Sequence, residues 1–120
     1  MSDVIIWHNP RCSKSRETLK LLQERGLAPV ERRYLDDAPN LDELRAARAA
    51  LGVSALQMMR VKEKRFAELG LSRTDDDETL LKAMAENPVL IERPIVFSNG
   101  RAAIGRPPEA VLEILQADLS

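Results

Sequence analysis

The sequence predicts an α/β protein with a four-stranded mixed sheet, built in the order βαβ…ββα and interrupted by a helical insertion. Strand, helix and strand patterns follow one another within about thirty residues at the N-terminal end, which is typical of a parallel βαβ unit. An Asn-Gly pair separates two apolar runs near the C-terminal end. About fifty residues of helical pattern lie between these parts, too many for a loop. We therefore expect one domain over residues 1–120, with the insertion at 40–87.

The N-terminal unit begins with the apolar run Val4–Trp7, whose β-branched residues are typical of a buried strand. Asn9-Pro10 ends this run. A helical pattern follows from Ser13, and Gly26 predicts the end of that helix. One face of the helix carries Thr18, Leu19, Leu21 and Leu22. Residues 30–35 predict the second strand.

The sequence pattern of the insertion predicts four helical segments. Asn40 is expected to cap the first helix reciprocally with Glu43, and Gly52 to end it. The other three are predicted from Ser54-Ala55-Leu56-Gln57 onward, across residues 62–69, and from Asp75 or Asp76 to Asn87.

The C-terminal part predicts a hairpin and a last helix. Ile95–Phe97 and Ala102–Ile104 are apolar runs, and Asn99-Gly100 between them is a strong signal for a hairpin turn. Pro107-Pro108-Glu109 is expected to open the helix, since proline fits the first helical position. That helix directs three apolar side chains inward: Val111, Leu112 and Leu115.

Composition excludes several classes of function. The net charge is −1, so the chain has no basic surface typical of proteins that bind nucleic acid or anionic membranes. One Trp, one Tyr and two Phe provide too few stacking platforms for bases. Dinucleotide-binding, phosphate-loop and His/Cys metal-binding patterns are missing, so no bound cofactor or metal is expected.

The N-terminal segment and the cysteine content predict a location. The first residues lack the features of a signal peptide, and no apolar run approaches the roughly 18–20 residues of a membrane helix. A free thiol is best kept in a reducing cytosol. We expect a cytoplasmic protein, and a monomer as the default for a small domain with a charged surface.

The only cysteine, Cys12, lies where the first strand passes into the first helix. A helix N-terminus carries roughly half a positive charge and unpaired amide N–H groups, which lower the pKa of a thiol from its ordinary value of about 8.5. Arg11, Lys14 and Arg16 add positive charge around it. Because the same amides and cations bind anions, a nucleophile and an anion site are predicted to coincide.

Cys12 is either a structural or a reactive residue. Most single cysteines are small buried hydrophobic residues, but the polar neighbours of Cys12 argue against that here. Cys12 and Ser15 form a Cys-x-x-Ser pattern, which forms no internal disulfide, so an external thiol must complete any redox cycle. His8 either helps to hold the sulfur ionised or packs at the end of the strand, and both readings stay open.

The pattern His8-Asn9-Pro10-x-Cys12-x-x-Ser15-Arg16, with Arg93-Pro94-Ile95 and Gly105-Arg106-Pro107 later, resembles the glutaredoxin-linked arsenate reductase family of bacteria. The resemblance covers essentially the whole chain, including the insertion and the hairpin. It implies a thioredoxin-like fold and a cytosolic enzyme that reduces arsenate to arsenite. In such folds the peptide before the matching proline is cis, so Arg93-Pro94 is predicted to be cis.

The resemblance also implies roles for particular residues. Cys12 is the nucleophile that attacks arsenic; glutathione, the co-substrate, then attacks the adduct, and glutaredoxin recycles the mixed disulfide. His8 favours the thiolate, and Ser15 supports the sulfur by hydrogen bonding. Three arginines match those that bind the oxyanion: Arg60, Arg93 and Arg106. A tetrahedral dianion is well bound by such fork-shaped donors.

The sequence departs from the best-characterised branch directly after the cysteine. That branch has glycine and threonine, whereas this chain has Ser13 and Lys14, which we place among the substrate-binding residues. The variant resembles a housekeeping branch of the family. Two alternatives therefore accompany the arsenate reductase hypothesis: a glutathione-dependent thiol-disulfide reductase, and a redox adaptor that binds a protein partner. Ser15 disfavours the adaptor, because the related polymerase-binding branch uses a Cys-x-x-Cys switch.

Overall fold

The structure, a computed structural model, describes residues 4–119, with side chains as far as residue 115. The chain divides into two compact units. The first unit joins the N-terminal part, up to Asp37, with the part from Arg93 onward, and the second unit is Ala38–Glu92. The second unit includes the range 40–87 that the sequence analysis interprets as an insertion.

The first unit contains a four-stranded mixed sheet with strand order β2-β1-β3-β4. The strands are β1 (Ile5–Trp7), β2 (Val30–Arg32), β3 (Ile95–Ser98) and β4 (Arg101–Ile104). β1 is parallel to β2 and antiparallel to β3, and β4 is antiparallel to β3, which confirms the predicted sheet. The second strand is shorter than the predicted range 30–35, because the N–H groups of Asp36 and Asp37 turn back to the Arg33 carbonyl.

The β3–β4 hairpin turns at Asn99 and Gly100, whose φ angles are 52° and 75°. Positive φ at both central residues defines the type I′ turn, whose twist matches that of the paired strands. The Asn-Gly pair predicts this turn. The pairing runs from this turn to Ile95 and Ile104. Beyond that pair, Arg93 and Arg106 leave the sheet at the same end.

Two helices pack on the sheet of the first unit. α1 (Ser13–Glu24) and α5 (Leu112–Leu119) are the predicted helices, but a 3-10 turn, Pro108–Val111, precedes α5, so the prolines open a tighter turn than expected. One buried cluster of this unit contains Val4, Ile6, Leu22, Val96, Val111, Ile114 and Leu115. Thr18 is also buried on α1, whereas Leu19 and Leu21 are partly buried.

The second unit contains α2 (Leu41–Leu51), α3 (Lys64–Glu68) and α4 (Asp77–Glu86). Asn40 and Glu43 form the predicted capping box of α2, and Gly52 ends it in the left-handed conformation. Asp76 caps α4. These boundaries confirm the local signals of the sequence.

The helix predicted from Ser54 is wrong. Only a 3-10 turn, Leu56–Met58, forms there, although the Gln57 side chain accepts the predicted hydrogen bond from the Ser54 N–H. Met59 is already extended and forms a bridge with Ile91. The backbone is therefore extended and paired at Met59, so the turn at Leu56–Met58 does not continue into a helix. Among residues 4–119, no helix has both the length and the apolar character that crossing a membrane requires.

Candidate active site

Cys12 occupies the residue directly before α1, with an extended backbone at φ −93° and ψ 125°. Its N–H donates to the Asn9 carbonyl at 3.0 Å, and its carbonyl accepts from the Arg16 N–H at 3.0 Å, which starts the helix. The residue is partly exposed. The thiol therefore lies at the amino end of α1, as predicted, and a small molecule can reach it.

Several groups act on the ionisation of this thiol. Burial alone would raise the pKa of Cys12, but the Ser15 amide, Arg93, the Lys14 amide and Arg106 together hold that pKa below its ordinary value. Ser15 and Lys14 lower this pKa through backbone hydrogen bonding to the thiol, although the sulfur does not make the regular side-chain capping hydrogen bond of α1. Arg106 contributes a direct hydrogen bond from Nη2 to Sγ at 3.6 Å. The result is a thiol biased toward the thiolate.

Arg93 and Arg106 come from the adjacent ends of β3 and β4. The Arg93-Pro94 peptide is cis, which confirms the prediction, and Arg106-Pro107 is also cis, which the sequence did not indicate. Arg106 Nε donates to the Arg93 carbonyl at 2.8 Å and so ties the two residues together. Two guanidinium groups with a Coulomb effect on one sulfur provide donors suited to a tetrahedral oxyanion.

His8 and Ser15 form a buried hydrogen-bonded pair, with Nδ1 and Oγ 2.6 Å apart. The Ser15 hydroxyl also accepts from the Asn9 N–H at 3.0 Å. Burial lowers the pKa of His8, and of the smaller influences Glu31 raises it while Arg33 and Arg16 lower it, so a neutral ring is favoured. His8 thus bonds to Ser15 rather than to the sulfur. The backbone amide of Ser15 lowers the pKa of Cys12, whereas its hydroxyl forms hydrogen bonds to His8 and Asn9 in the loop between β1 and α1.

Asn9 is a site residue to which the sequence pattern assigned no role, although it ends the first strand and belongs to the family pattern. Its carbonyl accepts from Cys12, its Oδ1 accepts from the Arg11 N–H at 3.0 Å, and its N–H donates to Ser15. Arg16 also closes the loop, because its Nη1 donates to the Pro10 carbonyl at 3.0 Å. The tendency of asparagine to bond the backbone two residues ahead is the signal that would have identified this role.

Two predicted substrate-binding residues, Lys14 and Arg60, make ion pairs, and a third, Ser13, is exposed. Lys14 Nζ lies 3.5 Å from Glu17 Oε2, so the Lys14 side chain forms an ion pair within α1. Ser13 is exposed in the first turn of α1. Arg60 belongs to the second unit, where its Nη2 lies 3.1 Å from Glu63 Oε2 and its Nη1 donates to the Val89 carbonyl. The substrate contacts of these residues stay predictions.

The chain is similar to known proteins over nearly its whole length. A family model described as the ArsC family matches residues 7–114. The chain is 50% identical over 117 residues to a protein of Neisseria meningitidis serogroup A named arsenate reductase, covering 96% of this chain and 100% of that protein. It is 52% identical over 114 residues to the Escherichia coli K12 protein named YfgD, described as uncharacterized, covering 93% and 96% respectively.

A solved structure shows the same fold. The structure described as arsenate reductase from Vibrio cholerae matches with a TM-score of 0.91 and 52% identity, covering 94% of this chain and 98% of that one. The thioredoxin-like α/β fold expected from the residue pattern is therefore confirmed.

Proposed function

The chain belongs to the ArsC family, and we propose that it reduces arsenate to arsenite through the Cys12 thiolate. One observation carries the proposal: the sulfur at the amino end of α1 has a lowered pKa and accepts a hydrogen bond from the Arg106 guanidinium at 3.6 Å. A nucleophile and a donor for an oxyanion therefore share one position. Relatives named arsenate reductase, at about half identity over nearly the whole chain, support arsenate as that oxyanion.

In the first proposed step, the Cys12 thiolate attacks the arsenic atom. An S–As bond forms, and the As–OH bond of hydrogen arsenate breaks as its hydroxyl takes up one proton from the solvent and leaves as water. Arginine fork donors bind the remaining oxygens, and Arg93 and Arg106 are the residues beside the sulfur that provide them. Arsenic is still As(V) at this stage.

In the second proposed step, a glutathione thiolate attacks the Cys12 sulfur. An S–S bond forms, the S–As bond breaks, and its electron pair stays with arsenic, which becomes As(III) and leaves as arsenite. Glutaredoxin then attacks the glutathione sulfur of the mixed disulfide and releases the Cys12 thiolate. External thiols are needed because the chain contains one cysteine.

The chemistry of the thiol also bears on the cellular location of the enzyme. A reactive thiolate that must return to its reduced form after each turnover suits a cytoplasmic environment. We propose a cytoplasmic monomer, whose mass in solution can be measured by light scattering against the 13.4 kDa of one chain.

The test is arsenite formation by the purified protein with arsenate, glutathione and glutaredoxin present together. We expect turnover in the complete mixture, loss of turnover when glutaredoxin is omitted, and loss in Cys12→Ser. Gln23→Ala, at an exposed position near the other end of α1, serves as a control for a change on the same helix away from the thiol. Arsenite production that persists in Cys12→Ser contradicts the proposal.

A glutathione-dependent thiol-disulfide reductase is the second candidate. A partly exposed thiol with a lowered pKa at a helix N-terminus is equally suited to attack a mixed disulfide. Rapid turnover of a glutathione mixed disulfide by a protein that produces no arsenite would favour this alternative over the first.

A further inference from the structure

Gly105 follows β4 and lies where three parts of the first unit meet. Its N–H donates to the Pro94 carbonyl at 2.9 Å, which continues the pairing of β3 and β4 beyond Ile104. The residue is buried. Thr18, fully buried on α1, and the ring of Pro94 both lie on the side of residue 105 where a Cβ would be.

The space at this position excludes a side chain. A Cβ on residue 105 would lie 2.5 Å from Thr18 Oγ1 and 2.8 Å from Pro94 Cγ, whereas real Cβ atoms essentially never approach within 3.0 Å. Gly26 has a positive φ and open space around it, but Gly105 does not have a positive φ. Glycine is therefore required at 105 by close packing and not by backbone conformation.

Neither neighbour can easily move aside. The Thr18 hydroxyl donates to the Lys14 carbonyl at 2.8 Å, so it is held to the first turn of α1, the turn whose amides face the Cys12 sulfur. Pro94 is a buried ring without flexible torsions. Because packed interiors transmit strain, an added methyl group would displace the chain at residues 105 and 106 away from α1.

Such a displacement acts directly on Arg106. This residue reaches the Cys12 sulfur at 3.6 Å and the Arg93 carbonyl at 2.8 Å. A movement on the order of 1 Å, the scale needed to restore ordinary van der Waals contact, would carry Nη2 out of hydrogen-bond range of the sulfur. We infer that Gly105 is a positioning residue, whose missing side chain lets the end of β4 approach α1 closely enough for Arg106 to reach Cys12.

The inference rests on the proposed function of this site, but its test measures the thiol and not turnover. The experiment is the pH dependence of Cys12 alkylation in Gly105→Ala, with arsenate as a protecting ligand. We expect the midpoint of the profile to move to higher pH. The arsenate concentration that protects the thiol should rise about tenfold, as expected for the loss of one charge-assisted hydrogen bond.

Gly26→Ala is the matched control. It also replaces a glycine of the first unit, and the positive φ of 79° makes the change strained, but nothing lies within 4 Å of the new Cβ. This variant should lose stability and keep the alkylation midpoint. An unmoved midpoint in folded Gly105→Ala, or an equal movement in Gly26→Ala, overturns the inference. Failure of the proposed function looks different, because arsenate then fails to protect the unsubstituted protein or is not reduced by it.

A double variant keeps the test decisive if Gly105→Ala does not fold. Thr18→Ala removes the nearest clashing atom, whereas the steric clash of the new Cβ with Pro94 remains. The double variant Thr18→Ala/Gly105→Ala should therefore fold, and its alkylation midpoint should lie between those of the two single variants. If Gly105→Ala does not fold but Thr18→Ala and the double variant do, a midpoint of the double variant above that of Thr18→Ala supports the inference. A midpoint equal to that of Thr18→Ala refutes it.

Discussion

Replacing Arg106 with glutamine tests the site at the side chain that contacts the sulfur directly. Arg106→Gln removes the hydrogen bond to Cys12 Sγ at 3.6 Å and the one to the Arg93 carbonyl at 2.8 Å. A hydrogen bond from a charged group contributes about 1.5–3 kcal/mol, and the long distance to sulfur at an exposed residue favours the lower figure. About 1.5 kcal/mol corresponds to a roughly tenfold loss of kcat/KM for arsenate. The pKa of Cys12 should also rise, since one of the cations that lower it is lost.

Two assays and two further variants separate charge from geometry. The assays are kcat/KM with glutathione and glutaredoxin, and the alkylation midpoint of Cys12. Arg106→Lys keeps the charge without the planar fork, so it should retain most of the pKa effect and lose oxyanion affinity. Arg101→Gln makes the same change of charge at the exposed start of β4. If Arg106→Gln matched Arg101→Gln in both assays, the assignment of Arg106 to the thiolate and the oxyanion would be wrong.

Three further predictions concern stability. Ser15→Ala should lower the free energy of unfolding by about 1–3 kcal/mol in urea titrations, because it removes the hydrogen bonds of the hydroxyl to the buried His8 ring and the partly buried Asn9 N–H, whereas exposed Ser13→Ala should change it by less than about 0.5 kcal/mol. Burial lowers the pKa of His8 in the folded state, so its contribution to stability is complete above the ordinary value of 6.5 and is lost as the pH falls from there through the lowered value. His8→Asn should flatten this part of the stability–pH curve, and an unchanged slope would argue against a buried neutral ring. Asn40→Ala should cost about 1 kcal/mol through loss of the capping box of α2, and equal unfolding midpoints for this variant and the unsubstituted protein would contradict that assignment.

The elements that the sequence predicted well are those with strong local signals. Asn99 and Gly100 adopt the two positive φ angles that their residue types favour, and Asn40 with Glu43 closes its capping box. Ser54 carries a similar signal, and part of its capping geometry forms. The helix still fails to extend, because the backbone at Met58 and Arg60 pairs with residues 90–92. Contacts distant in sequence override local propensity here, and a single sequence does not display them.

Some features of the site could likewise be predicted from local sequence, whereas others depend on contacts distant in sequence. The position of Cys12 at the start of a helix follows from the local pattern, and so does the direction of its pKa shift. The pairing of His8 with Ser15 depends on how the loop packs, which the spacing of the two residues left open. The requirement for glycine at 105 depends on a contact with a helix more than eighty residues earlier in the chain, so it is visible only in three dimensions.

The cations around the thiol show why nearness in sequence is a poor guide to electrostatics. Lys14 is two residues from Cys12, yet its ammonium group lies by Glu17, and the effect of Lys14 on the thiol comes from its backbone amide. Arg106 is 94 residues away, yet its guanidinium donates to the sulfur. The amides that stabilise the thiolate belong to the helix backbone and do not depend on side-chain identity, whereas the fork donors must be brought in by the register of the β3–β4 hairpin. Changes at residues 13 and 14 should therefore leave the thiolate largely intact, and the proposed binding of a tetrahedral anion should depend most on Arg93 and Arg106, at the end of the hairpin opposite its turn.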